Sequence, residues 1–282
     1  MRSTSVLGRP AADRRAGAGT DGMIGAELER PDRLAALREG RLASVHSWEL
    51  VTAVDGPGTR LTVFFAGCPL RCVYCHNPDT MEMRRGQAIE LEEVVRLLRR
   101  YRRIFRATGG GITLSGGEVL MQAAFARNVL RAAKELGIHT AIDTSGHLGA
   151  VVDDAFLADV DLVLLDVKSG DELSHRALTG RALQPTIDFG DRLARAGITT
   201  WVRFVVVPEW TDGVENVERI ADIVEPWRDV VERVEVLPFH NMGQDKWDAL
   251  GMEYRLRDAQ PPPAAVVERV REQFRSRDLT VH

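Results

Sequence analysis

The sequence predicts an α/β protein built on a parallel sheet, and three observations lead to this fold class. From about residue 60 the 282-residue chain alternates short β-branched runs with longer amphipathic segments, which is the pattern of repeated βα units. Its 44% hydrophobic residues are enough to bury a substantial core. No run of about 18 apolar residues occurs, so we expect no membrane-spanning segment.

Six strands are predicted, each bounded by Gly, Asp or Pro and followed by a helix. The clearest helix follows the first strand, where Leu91, Val94, Leu98 and Phe105 form one apolar stripe at helical spacing. The strand candidates are residues 61–65, 111–114, 138–142, 162–167, 200–207 and 233–238, and the other helices fall near 122–136, 151–158, 186–196, 215–228 and 263–277.

The opposite face of the first predicted helix carries six arginines between residues 96 and 106. Such a run is usual for a solvated helix face. The chain has 37 Lys+Arg against 41 Asp+Glu, a net charge of −4, and this balance gives no field that would attract nucleic acid over the whole surface. We therefore expect no nucleic-acid partner.

The first part of the chain differs in composition from the rest. Residues 1–43 are rich in Gly, Ala, Arg and Asp without sustained periodicity, so we predict a disordered extension before one domain over residues 44–282. The N-terminus also lacks the apolar stretch of a secretory signal. A cytoplasmic protein is expected.

Polar residues follow or end every predicted strand. In parallel α/β folds the carboxyl ends of the strands meet at one edge, where the βα loops hold ligands. We therefore expect these groups to converge at one end of the sheet. They are the segments 67–76, 115–118 and 143–146 after the first three strands, Asp166 and Lys168 at the fourth, Arg203 in the fifth and His240 after the sixth.

All three cysteines of the chain, Cys68, Cys72 and Cys75, lie within eight residues. Fully extended, the segment would hold the outer thiols more than about 20 Å apart, so a tight loop must bring them together if they share a ligand. Three thiolates can hold three irons of a [4Fe–4S] cluster and leave the fourth iron open to substrate. A Cys3His zinc site using His76, a C-x-x-C-H haem attachment and three buried structural thiols are the alternatives.

A Gly-Gly-Glu turn follows the second predicted strand. Gly116 and Gly117 lack a Cβ and let the main chain approach a ligand, while Glu118 supplies a carboxylate for an ammonium group. Alone, the turn is equally typical of a plain βα connection, and Asp143 and Asp166 are equally typical of helix caps. Their joint position opposite the cysteine loop favours a ligand site.

The spacing Cys-x3-Cys-x2-Cys, with Tyr74 before the last cysteine and Ser-Gly-Gly-Glu one strand later, resembles the radical S-adenosylmethionine (SAM) superfamily. The resemblance covers about residues 44–282 and implies a partial (β/α)6 barrel of parallel strands. Within the superfamily, the family of pyruvate formate-lyase activating enzymes is similar to this chain at residues 52–60, 64–68, 74–79, 141–146, 164–168, 202–208 and 237–240.

This resemblance implies an enzyme that activates pyruvate formate-lyase. Its cluster would cleave SAM reductively, and the 5′-deoxyadenosyl radical would abstract a hydrogen from a glycine Cα of pyruvate formate-lyase. A flavodoxin- or ferredoxin-type protein would supply the electron. The implied roles are cluster ligation for Cys68, Cys72 and Cys75; nucleoside contacts for Tyr74 and His76; contacts with the methionine ammonium for Gly116, Gly117 and Glu118; contacts with the carboxylate and ribose for Asp166, Lys168, Arg203 and His240; and a monovalent-cation site for Asp143, Thr144 and Asp166.

Two other functions stay open from the sequence. A radical SAM enzyme acting on a different glycyl-radical enzyme, a small molecule or RNA would share the cluster and the Gly-Gly-Glu turn. An enzyme acting on a small molecule or RNA would not share the Asp-Gly-Pro-Gly segment at 55–58 or the segment 237–240. The segment 55–58 is flexible enough to accept a peptide backbone, and a plain turn entering the sheet is its alternative reading. A non-catalytic metal- or haem-binding module is the second alternative.

Overall fold

The computed structural model describes residues 19–52 and 55–282, which are organised around one eight-stranded sheet. Six neighbouring strands, β2 and β4 to β8, run parallel, whereas β1 pairs antiparallel with both β2 and β3. The α/β class with a parallel sheet is confirmed, and the topology agrees with a partial barrel. The strands are β1 (Leu42–Thr52), β2 (Thr59–Phe65), β3 (Gln87–Glu90), β4 (Gly111–Gly116), β5 (His139–Thr144), β6 (Leu162–Asp166), β7 (Thr200–Val206) and β8 (Val231–Pro238), in the order β3-β1-β2-β4-β5-β6-β7-β8.

All six predicted strands are present, each within two residues of its expected ends. The sequence prediction missed β1 and β3. The register of β1 against β2 shifts between Val45 and Ser47, and a shift of this kind breaks the period-2 alternation by which a strand is recognised in a sequence. β3 has only four residues, too few to show a period.

Helices follow the parallel strands, as predicted. The apolar stripe after β2 lies on the longest of them, which ends at Gly109 in the left-handed conformation (φ 66°). Two short helices, α5 and α8, were not predicted, because eight and six residues are too few for a clear stripe. The helices are α1 (Arg30–Arg38), α2 (Leu91–Thr108), α3 (Ala123–Glu135), α4 (Asp154–Leu157), α5 (Glu172–Thr179), α6 (Gln184–Ala196), α7 (Val214–Val224), α8 (Gln244–Ala249) and α9 (Ala264–Arg275).

The two faces of the parallel sheet have different environments. On β7, Val202, Phe204 and Val206 are fully buried in the main core that also contains the helices. Trp201 points to the opposite face, where it joins a smaller apolar cluster, and Arg203 follows on the same face two residues later. This second face is the inner one of the partial barrel, and it carries the charged groups of the site.

The boundary predicted at residue 44 differs from the structure. Residues before it pack on the domain: Ala36 of α1 is buried, and Gly19 and Gly25 form isolated bridges with Ser47 and Ile89. Burial against β1 and β3 is the physical reason that residues 19–43 belong with the domain rather than with an extension. Residues 1–18 lie outside the described residues, so disorder there stays a prediction.

In the described ranges, no helix is long and apolar enough to cross a membrane.

Candidate active site

The three cysteines lie on one loop that leaves the carboxyl end of β2. Gly67 begins the loop in a conformation that favours glycine (φ 101°), and its N–H donates to the carbonyl of Thr80 (2.6 Å). The loop folds back on itself through the N–H of Cys75, which donates to the carbonyl of Cys72 (3.1 Å). The predicted tight loop is confirmed. All three thiols are free, and they line one cavity of about 190 Å³.

Burial sets the protonation of these thiols. It raises the pKa of Cys72, and it raises the pKa of Cys68 and Cys75 to about 12. The thiols therefore keep their protons at neutral pH until a metal replaces them. Thiolates on a compact loop are soft ligands that suit zinc or an iron–sulfur cluster. Within residues 19–52 and 55–282, no three His, Cys, Asp or Glu side chains are arranged to hold a single metal ion, as a zinc site would require.

The Gly-Gly turn at the end of β4 brings the main chain against the cysteine loop. The N–H of Gly117 donates to the carbonyl of Phe65 (2.8 Å). A Cβ added at Gly117 would lie 2.3 Å from the carbonyl oxygen of Gly67, and one at Gly116 would lie 2.2 Å from the Phe65 nitrogen. Backbone packs on backbone here, so only glycine fits. Both glycines line the cavity.

Glu118 does not face the cavity, in contrast to the contact expected with an ammonium group. Its carboxylate is buried (2% exposed), and each oxygen is used by the protein. Oε1 accepts from the N–H of Leu120 (3.1 Å) and the hydroxyl of Thr144 (2.6 Å), whereas Oε2 accepts from the N–H of Ser145 (3.0 Å) and from its hydroxyl. Glu118 caps the turn after β4 and holds the loop after β5, which itself lines the cavity.

Lys168 supplies a positive charge beside the cysteines. Its ammonium donates to Asp166 Oδ2 (2.9 Å) and lies 5.7 Å from the centre of the Tyr74 ring. Burial lowers its pKa, but Asp166, followed by Tyr74 and Cys72, together outweigh burial and hold the pKa of Lys168 well above its usual range. A permanent cation therefore borders the cavity, together with Asp166 and Tyr74.

Arg203 lies behind this cavity among three carboxylates. Its guanidinium is 3.0 Å from Glu235, 3.3 Å from Asp143 and 3.4 Å from Asp55. Burial opposes its charge, but these carboxylates raise its pKa further above the usual range. Asp143 also accepts from the hydroxyl of Ser115 (2.7 Å). Burial raises the pKa of Asp143 to about 6 despite Arg203, with the neighbouring Asp166 and Asp55 adding to the rise.

The segment after β8 covers the cysteine loop from outside. The ring of His240 is 3.9 Å from that of His76 between centres, and His76 Nε2 hydrogen-bonds to the carbonyl of His240 (2.8 Å). Further along, the indole N–H of Trp247 donates to the carbonyl of Cys75 (2.9 Å), and the ammonium of Lys246 donates to Asn77 (2.6 Å).

Comparison with known proteins agrees with this geometry. The sequence model of the Radical SAM superfamily matches residues 62–224 of this chain. The pyruvate formate-lyase-activating enzyme of Clostridium pasteurianum is 44% identical over 217 residues, which are 77% of this chain and 90% of the relative. The pyruvate formate-lyase 1-activating enzyme of Escherichia coli K12 is 40% identical over 232 residues, 82% of this chain and 94% of the relative. The chain belongs to the radical SAM superfamily, in its pyruvate formate-lyase-activating enzyme family.

Solved structures of radical SAM proteins share the fold. A domain of the pyruvate-formate lyase-activating enzyme from Bacteroides vulgatus superposes with a TM-score of 0.52 at 22% identity, covering 62% of this chain and 98% of that one. A radical SAM methyltransferase from Sphaerobacter thermophilus gives 0.59 at 17% identity over 90% and 81% of the two chains. Membership of the radical SAM superfamily implies a [4Fe–4S] cluster and SAM as cofactors.

The structure of this radical SAM protein brings most of the predicted site residues together. Glu118, Arg203 and His240 do not line the cavity, but each contacts a residue that does. Ser145 and Leu70 also line the cavity; they lie in the segments 143–146 and 67–76 that were expected at this end of the sheet, but no role was predicted for either. Val205 of β7 lines it too and carries no polar signal. The predicted residues that line the cavity are Cys68, Cys72, Tyr74, Cys75, His76, Gly116, Gly117, Asp143, Thr144, Asp166 and Lys168.

Proposed function

We propose that this chain activates pyruvate formate-lyase by generating a glycyl radical on it. The observation that carries the proposal is the family relationship at 40–44% identity over nine-tenths or more of each relative, joined to a cavity in which three thiols meet a buried ammonium. A bound [4Fe–4S] cluster would supply the electron for reductive cleavage of SAM to methionine and a 5′-deoxyadenosyl radical, the species that would take one hydrogen atom from a glycine Cα.

The residues of the cavity fit these cofactors. Cys68, Cys72 and Cys75 would hold three irons, and the fourth would be left to the amino and carboxylate groups of SAM. The three thiols line the same cavity as Gly116 and Gly117, whose main chain lies against the cysteine loop, and this arrangement supports the assignment. Both parts open onto the same cavity, so the protein holds cluster ligands and ligand-binding backbone side by side.

Charged and aromatic groups around the cavity supply contacts for SAM. Lys168 is the cation that we assign to its carboxylate, because its charge is permanent and water is largely excluded there. Gly116 and Gly117 would meet the ammonium with their backbone, whereas Tyr74 and His76 would flank the nucleoside. Three further residues would position the groups that line the cavity: Arg203 pairs with Asp143, the carbonyl of His240 with His76, and Glu118 with Thr144.

A monovalent cation would bind beside the SAM site. Burial raises the pKa of Asp143, and the negative charge of the neighbouring Asp166 adds to the rise. A bound cation would relieve the repulsion between these two carboxylates. The hydroxyl of Thr144 already donates to Glu118 and accepts from the N–H of Gly146 (3.0 Å). We therefore assign its main-chain oxygen to the cation.

Catalysis requires that the radical meets only its substrate. Water must be excluded from the cavity, and the glycine loop of pyruvate formate-lyase would close the open end of the barrel. The segment 55–58 is the candidate contact for the peptide backbone of this glycine loop. It is held against β4, because Thr113 Oγ1 donates to the carbonyl of Asp55 (2.6 Å). A flavodoxin- or ferredoxin-type protein would deliver the electron in the cytoplasm, with no nucleic acid or membrane involved.

The test is anaerobic and uses the reconstituted full chain. Reduced protein is mixed with SAM and then with pyruvate formate-lyase, and 5′-deoxyadenosine and the glycyl radical signal in electron paramagnetic resonance (EPR) spectra are measured. We expect both products in equal amounts, both lost in Cys72→Ala and both kept in Glu92→Ala, an exposed change on α2. 5′-Deoxyadenosine without a glycyl signal would redirect the search to another substrate, and zinc or haem without cleavage would overturn the cluster assignment.

A further inference from the structure

Two exposed arginines hold the first turn of the cysteine loop. Arg71 Nη1 donates to the carbonyls of Cys68 and Leu70, both at 2.7 Å. Arg181, which follows α5, donates through Nε to the carbonyl between them, that of Pro69 (2.8 Å). Both arginines are exposed. The main chain of the first cysteine is therefore contacted by a guanidinium group that reaches solvent.

The charge of these two arginines is not used within the parts of the chain that the structure describes. Other exposed arginines, such as Arg84 and Arg176, pair with a glutamate at 2.7 Å. In the described ranges, neither Arg71 nor Arg181 lies within ion-pair distance of a carboxylate, and Nη2 of Arg71 and both Nη atoms of Arg181 have no partner. These donors are therefore available to another molecule.

The chemistry of a guanidinium group indicates an acidic partner. Its planar fork matches a carboxylate, and complementary charges at a protein surface steer and orient a partner. The whole chain has a net charge of −4, so its overall field does not attract an acidic protein. Two uncompensated cations at one place on the surface then decide where such a protein binds.

We propose that Arg71 and Arg181 form the docking surface for a small acidic one-electron carrier protein, whose carboxylates pair with them. This inference deepens the proposed function and rests on it, because it needs Cys68 as a cluster ligand. The thiol of Cys68 lines the cavity, whereas its carbonyl is bound by Arg71. A carrier on the two arginines lies against a cluster ligand and leaves the cavity to SAM. The carrier is oxidised by one electron and the cluster is reduced by one; no bond forms or breaks, and no proton moves.

Helix α2 provides a matched control. Arg103 and Arg106 are also exposed and form no ion pair among the described residues. They lie near the end of α2 that contacts the amino end of β2, where the N–H of Thr59 donates to Thr108 Oγ1 (3.1 Å). The cysteine loop leaves the other end of this seven-residue strand, about 20 Å away.

The experiment compares Arg71→Gln/Arg181→Gln with wild type and with Arg103→Gln/Arg106→Gln. Each reconstituted protein receives SAM, pyruvate formate-lyase and either dithionite or increasing concentrations of reduced flavodoxin, and the rate of 5′-deoxyadenosine formation is measured. For Arg71→Gln/Arg181→Gln we expect about a fivefold higher KM for flavodoxin at low ionic strength, the effect of two lost surface ion pairs. The difference should shrink at about 0.5 M salt, and the rate with dithionite should be unchanged. Arg103→Gln/Arg106→Gln should behave as wild type.

The dithionite reaction separates docking from support of the loop. If the rate with dithionite falls as much as the rate with flavodoxin, the arginines only support the loop, and the proposal is overturned. An unchanged KM for flavodoxin, an equal rise in Arg103→Gln/Arg106→Gln, or a higher KM for pyruvate formate-lyase with dithionite would overturn it too. So would wild type that reacts with dithionite but with neither flavodoxin nor ferredoxin. Wild type that forms no 5′-deoxyadenosine even with dithionite would overturn the proposed function itself.

Discussion

Replacement of Glu118 by alanine should destabilise the protein strongly, because the buried carboxylate accepts hydrogen bonds from buried main-chain groups. The change leaves two buried N–H groups, those of Leu120 and Ser145, without an acceptor. Each unsatisfied donor costs roughly 1–3 kcal/mol, so we expect a loss of about 4 kcal/mol in the free energy of unfolding. For a chain of 282 residues, that loss lowers the unfolding temperature by about 7 °C.

Glu118→Gln separates the capping role from a direct contact with substrate. An amide presents one oxygen and one NH2, so one of the two N–H groups loses its acceptor in either orientation, and about 2 kcal/mol should be lost. Binding of SAM should weaken in step with stability, since Thr144 and Ser145 line the cavity.

The assays are thermal unfolding and SAM binding by calorimetry, with the exposed Glu92→Ala as control. Glu118→Gln that unfolds like wild type but no longer binds SAM would refute the capping argument and support the ammonium contact predicted from the sequence.

Further predictions concern the thiols, Gly117 and Arg203. In the cluster-free protein the pKa of Cys68 and Cys75 is about 12, so a disulfide reagent at pH 8 should react about a thousandfold more slowly with the folded than with the unfolded chain. Only the unfolded thiols ionise above about pH 9, so stability measured in urea should fall as the pH rises past that value. Gly117→Ala should prevent soluble expression or lower the unfolding temperature by more than about 10 °C, the effect of several kcal/mol, because the added Cβ meets backbone. Gly109→Ala is the control: nothing lies within 4 Å of its added Cβ, so it should cost only about 1 kcal/mol for its positive φ. Arg203→Met removes the cation shared by Asp55, Asp143 and Glu235, of which, within the described residues, only Glu235 keeps an ion pair, with Arg233 (2.7 Å). The change should cost about 3–5 kcal/mol in thermal unfolding, whereas a loss below about 1 kcal/mol would contradict the ion-pair argument.

Local patterns in the sequence were sufficient for the parallel strands and for the loop that carries the chemistry. β-Branched runs bounded by Gly, Asp and Pro predicted six strands, because the strands of a covered parallel sheet are rich in buried β-branched residues. The spacing of the three cysteines predicted a compact loop, since an extended one could not bring the thiols together. Neither inference needed a contact between distant parts of the chain.

The tertiary structure decided which atoms each polar side chain meets. Glu118 turned from an expected ligand contact into a cap, because Thr144 at the end of β5 and Ser145 after it present three donors to its carboxylate. Arg203 found its partners on strands and loops that the sequence separates by as many as 148 residues, and Trp247 returns to Cys75 from 172 residues away. The strands follow from short-range hydrophobic patterning, whereas these pairings arise only when the sheet curves and its loops close over one end.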